Sequence, residues 1–297
     1  MTGQLLRGLL DDASLFPPAS LTMPAAVAAH QRHSGAWYAA LCGPFVCPET
    51  KVADLRTALT IANRTAIEVS LVVTGGAAAV PAALDAVAAD PRIRLRGVEV
   101  PAAKDGDPAD AVAAVVEALD VAPLAAAAGY VEMSIRAVAD PAVAGPLLAT
   151  VDGHGYRPKL RTGGVTADAF PAESALAACL TAIIDRRIPF KATAGLHHAV
   201  RNTAADTGLE HHGFLNVLLA VGAAARGAST GELAGLLAER DPATVAEQVS
   251  RLEQDAIADI RYLFTSFGTC STDEPVADLV ALGLLAQPCS LNPEGRS

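Results

Sequence analysis

Short runs in which apolar residues alternate with others recur along this chain, and between them lie longer runs with apolar positions at helical spacing. That alternation predicts a parallel sheet, because each parallel strand needs a crossover connection and a helix supplies it. Eight such units can be counted. The run LLRGLLDDA ends at Asp11 and Asp12 and precedes a proline-containing loop and a helix from about Pro24, a favoured first helical position. The second strand is expected over 36–46, with a helix from about Glu49. In the third, Ile67, Val69, Leu71 and Val73 share a face before two glycines. Residues 93–101, 129–135, 157–164 and 188–198 supply strands four to seven. Beyond Gly213 the pattern is almost wholly helical, and only 265–271 can serve as strand eight.

Eight strand–helix units predict a (β/α)8 barrel with extra C-terminal helices, occupying 1–286 as one domain with 287–297 as a tail. An open doubly wound parallel sheet is the alternative, because the eighth strand is short and the helical excursion before it long. Against it, no GxGxxG follows the first strand and no GxxxxGK[ST] occurs anywhere. No fixed-period repeat or low-complexity linker divides the chain.

Composition narrows the partners more than the chemistry. With 297 residues and 52% hydrophobic content, one barrel fits the length. A net charge of −10 repels nucleic acid and anionic membranes, leaving a small molecule as the expected partner. Acidic residues and prolines interrupt the N-terminus before a signal-length apolar run develops, so a cytoplasmic location is expected. Five scattered cysteines without a CxxC pair argue against a disulfide framework or structural zinc. Alanine-rich outer helices would suit self-association into a homo-oligomer.

In a barrel the inward residues near the carboxyl ends of the strands build the site, so charged residues inside strand patterns are informative. They are Glu99, Glu132, Lys159, Arg161 and Lys191, followed by His197 and His198. Strand residues two apart share a face, which puts Lys159 with Arg161. Enclosed cations need carboxylates or an anionic ligand, and Glu132 on the neighbouring strand is the natural partner, with Glu99 one strand further round. The segments KLRTGG and FKATAG resemble those of class I aldolases of the (β/α)8 superfamily, several of which carry a Schiff-base lysine on strand six and another lysine on strand seven. The resemblance covers little more than these segments and the strand order. It implies that Lys159 forms the imine, Lys191 depresses its pKa, Glu132 shuttles protons and no cofactor is needed. The alternative is that both lysines sit in buried ion pairs with Glu132 and Glu99 and do no chemistry.

Around this centre, His198 is expected to assist catalysis, and Arg161, His197, Arg201, Gly163, Gly164, Asp12, Glu99 and Asn216 to contact an anionic substrate. Gly163 and Gly164 could instead only make a tight turn, Asp12 a turn or cap, and Asn216 a cap. The pairs His197–His198 and His211–His212 open a second route. One histidine from each pair with Glu132 or Asp11, for instance His198, His212 and Glu132, would make a three-ligand site for zinc or another divalent ion in a hydrolase or lyase. Ser271 begins an STDE sequence that reads as a capping box, and Cys270 beside it has no histidine close in sequence. A third reading is a non-catalytic barrel that binds an anion.

Overall fold

The computed structural model describes residues 2–62, 66–124, 126–205 and 207–288. Eight parallel strands close into a barrel: β1 (Leu10–Asp12), β2 (Cys42–Pro48), β3 (Ile67–Val72), β4 (Ile93–Pro101), β5 (Ala128–Met133), β6 (Arg157–Arg161), β7 (Phe190–Thr193) and, after a small antiparallel pair β8 (Asn202–Thr203) and β9 (Glu210–His211), β10 (Phe264–Thr269). The cycle runs β1-β10-β7-β6-β5-β4-β3-β2, so β10 closes the ring and the open-sheet alternative is overturned. Three-residue β1 suffices because it pairs on both sides, with Phe267–Thr269 and with β2.

Local chemistry explains four of the helix starts. Three crossover and C-terminal helices, Pro108–Asp120, Pro141–Gly153 and Pro242–Ser250, begin at Asp-Pro pairs in which Asp107, Asp140 or Asp241 accepts a hydrogen bond from a first-turn N–H. Ser229 and Glu232 form a reciprocal capping box on Thr230–Ala238. The STDE segment behaves differently. Thr272 is the N-cap of Asp273–Ala281 without a side-chain cap, while Ser271 accepts from the Glu274 N–H at 3.3 Å. Seventh-strand residues beyond Thr193 leave the sheet because Ala194 and Gly195 both adopt positive φ. Leu5 and Leu6, expected in the first extended run, lie instead at the end of the helix Thr2–Leu6 and are fully buried.

Phe190 packs against Phe264 of the neighbouring strand, and Phe214 of the helix Phe214–Ala224 stacks on Phe267. Below the sheet, Arg261 donates to the carbonyls of Arg7, Phe264 and Thr265, and its burial pushes the guanidinium down to about 10. The segment Ala167–Ile184 reaches a mean hydropathy of 1.4 over 18 residues, enough by length and composition to cross a membrane. It carries Asp168 and Glu173, and Leu176, Leu180 and Ile183 pack into the core. The tail from Cys289 lies outside the described residues.

Candidate active site

Barrel interiors are ordinarily filled by branched apolar side chains. Here a charged layer crosses the interior. Register places Glu132 beside Lys159 and Lys159 beside Lys191, so alternate strand positions aim these side chains inward at one level. Lys159 Nζ lies 2.8 Å from Glu99 Oε2 and 2.8 Å from Glu132 Oε2. Lys191 Nζ lies 2.6 Å from Glu99 Oε1 and 2.5 Å from Asp11 Oδ2. At the outer end, Arg161 Nε donates to Glu132 Oε1 at 3.0 Å. The result is one chain, Arg161–Glu132–Lys159–Glu99–Lys191–Asp11, with charges alternating and three cations facing three carboxylates.

Lys159 and Lys191 are 3% and 2% exposed, so desolvation must be met by close partners. Ser70 donates to Glu99, and Ser266 donates to Asp11 at 2.8 Å. Burial alone would raise the Glu99 carboxyl, but Lys159 and Lys191 outweigh it and hold Glu99 well below the usual carboxylate range. Glu132 is lowered in the same way by Lys159 and Arg161. Burial would lower Lys191, yet Asp11 and Glu99 prevail and raise it, fixing the ammonium. Asp11 goes the other way: burial outweighs Lys191 and raises it, and its Oδ1 has no hydrogen-bond partner. Gly43 stands against that oxygen, where a Cβ would overlap it.

Charged residues in strands thus converge as their spacing predicts, and Glu99 turns out to bridge both lysines rather than contact substrate at the rim. Ser70 and Ser266 were missed as members, and Asp11, expected at the substrate end of the first strand, pairs with Lys191 instead of a metal. Asp12 is a turn and packing residue: it accepts from the Ser14 N–H and pairs with His30 Nδ1 at 3.1 Å, contacts that overcome its burial and lower its pKa.

Several residues expected at the substrate make scaffold contacts. Arg201 is buried, with Nη2 2.6 Å from Glu173 and 3.4 Å from Glu210 and Nη1 3.2 Å from His212 Nδ1. Asn216, wholly buried, accepts from the Arg201 N–H and donates to the carbonyls of Leu236 and Glu239, so it ties a loop to helix ends. Gly163 is required by close approach, since a Cβ there would sit 2.7 Å from Gly195 Cα, and a Cβ on Gly164 would meet Ala169 at 2.6 Å. No helix N-terminus follows the two glycines directly; the next element is the short turn Ala167–Ala169.

One histidine of each pair comes together, His197 and His211 with ring centroids 6.2 Å apart, while His198 and His212 lie elsewhere. His198 is exposed and bonds Asp278 at 3.0 Å, while His212 is buried, bonds the Pro171 carbonyl at 2.8 Å and is lowered by burial. Glu132 is committed to Lys159 and Arg161, so the trio His198, His212 and Glu132 does not assemble as a metal site. Among the described residues no group of three or more His, Cys, Asp or Glu side chains is placed to hold a metal ion. His197 Nδ1 faces Glu274 at 3.1 Å and Cys270 Sγ at 3.6 Å, the histidine neighbour that sequence distance concealed. Burial raises the Cys270 thiol, which disfavours its thiolate.

Beside the charged layer, at the carboxyl ends of β4, β5 and β6, a cleft of about 820 Å3 opens, and Glu132 and Arg161 line it. Comparison of the chain with protein-family models and with curated proteins finds no match to either.

Proposed function

We propose that the protein is an aldolase-like lyase, or an enzyme moving a proton beside a carbonyl, that acts on a small anionic substrate through the amine of Lys159. The observation that carries this reading is Lys159 Nζ held between Glu99 and Glu132 while Glu132 itself lines the cleft. A carbonyl entering past Arg161 displaces the Glu132 carboxylate from Lys159, and Glu132 takes the ammonium proton. The free amine adds to the carbonyl carbon, Glu132 gives its proton to the oxygen and then relays a second proton from the adduct nitrogen to the hydroxyl, which leaves as water, and the resulting iminium draws electrons from the neighbouring carbon–carbon or carbon–hydrogen bond. Glu132, facing both Lys159 and the cleft, accepts the proton released and returns it to the enamine carbon; water then frees the product and Lys159. Lys191 keeps its charge throughout and, with Glu99, fixes Lys159 in place. Arg161, half-exposed at the rim, pairs with the substrate's carboxylate or phosphate.

The test is inactivation by borohydride in the presence of pyruvate, acetaldehyde and glyceraldehyde 3-phosphate. Wild type loses carbonyl-dependent turnover irreversibly, and Lys159→Ala has none to lose. A second reading, an anion-binding barrel without turnover, is favoured by the surplus of cations lining the cleft, Lys104, Arg136 and Arg161 against Asp168 and Glu132. It expects Lys159→Ala to weaken binding of the same carbonyl compounds, with no turnover in wild type.

A further inference from the structure

We infer that the cleft beside Glu132 and Arg161 is a site for an amphipathic anion, with a carboxylate or phosphate head at the rim and an apolar body of six or more carbons inside. This deepens the proposed reaction and rests on it only for placing a carbonyl at the head. The cleft's volume, about 820 Å3, lies toward the top of the roughly 300–1,000 Å3 of clefts that enclose drug-sized ligands. A three-carbon acid would leave most of it to water.

The walls explain the room. Ala137, Ala172 and Ala175 present only methyl groups from facing segments, and behind them Met133, Ile135 and Leu147 are apolar. Water in such a space makes few hydrogen bonds, so an alkyl or aromatic body displaces it favourably. The rim is different. Lys104, Arg136 and Arg161, all exposed, stand against two carboxylates, Asp168 and Glu132, and Glu132 is already shared between Lys159 and Arg161. The surplus is positive although the whole chain carries −10. Charge therefore selects an anionic head, volume and lining select an apolar body, and their adjacency to Glu132 puts the junction of the two beside the charged layer.

The experiment is calorimetric titration of the full chain with acetate, butyrate, hexanoate, octanoate and inorganic phosphate. Affinity is expected to rise about fourfold per added methylene up to octanoate. Arg136→Gln, an exposed substitution, weakens all the alkyl acids by a similar several-fold factor. Ala175→Trp fills the cleft and weakens octanoate at least tenfold relative to acetate, with circular dichroism checking that the variant folds. Equal affinities along the series, or phosphate binding alone, overturn the assignment, and so does failure of every acid to bind at millimolar concentration. Chain-length dependence without borohydride inactivation keeps the cleft and discards the lysine chemistry. Inactivation by small carbonyls with a flat series does the reverse.

Discussion

Replacing Glu99 by Gln perturbs the charged layer at its centre, because among the described residues it is the carboxylate ion-paired with both lysines. The amide keeps the shape and can still accept from Ser70, but it removes the negative charge shared by Lys159 Nζ at 2.8 Å and Lys191 Nζ at 2.6 Å. Each lysine then faces one carboxylate, Glu132 or Asp11, and Glu132 is still shared with Arg161, so two carboxylates serve three cations. Breaking a buried pair from one side costs about 3–5 kcal/mol. At ~2 °C per kcal/mol for a chain of this size, the expected fall in Tm is about 6–10 °C. Thermal and urea unfolding near neutral pH measure it. The pH dependence has a defined sign: Glu99 is lowered on folding, so its contribution is present above the ordinary Glu pKa of about 4.3 and is lost as pH falls through the lower native value. The gap between wild type and Glu99→Gln should hold steady above about pH 5 and narrow below about pH 4. A Tm change under about 2 °C, or a gap that widens in acid, would refute the reasoning.

Lys191 titrates with the opposite consequence: its raised pKa makes its contribution present below about 10.4 and lost as pH rises through the native value, so wild type should lose stability above pH ~10.4 with a steeper slope than Lys191→Met in thermal scans. Gly163→Ala forces a Cβ to 2.7 Å from Gly195 Cα and should cost about 1–3 kcal/mol in urea unfolding; no loss would mean the two loops part easily. Arg201→Ala should lower stability by about 1–3 kcal/mol while leaving octanoate affinity unchanged, since Arg201 is spent on Glu173, Glu210 and His212. A selective loss of octanoate binding in calorimetry would return Arg201 to the site.

The barrel was legible because parallel strands impose two periodicities that a single sequence displays, and Ile93–Pro101 is bounded as the pattern predicts. Lys159, Lys191, Glu132 and Glu99 were legible for a related reason: a charge inside a strand pattern demands a partner on the next strand, and register supplied one. Asp11 was not, because a three-residue strand carries too little alternation to tell Asp11 from Asp12. Ser70 and Ser266 give no signal, being small and compatible with either face. The partners of the loop residues were illegible for want of sequence proximity. Asp278 lies 80 residues from His198, and nothing local to His212 announces Arg201 or the Pro171 carbonyl. Spacing therefore suggested ligands where tertiary contacts had made scaffold.

The central claim is that the amine of Lys159 bonds covalently to a carbonyl substrate inside the barrel. Peptide mass mapping after borohydride reduction with glyceraldehyde 3-phosphate or pyruvate reads it directly. A reduced adduct on the peptide containing Lys159, absent from Lys159→Ala, is the result the account predicts. Label spread over exposed lysines such as Lys104, with the Lys159 peptide unmodified, would contradict it.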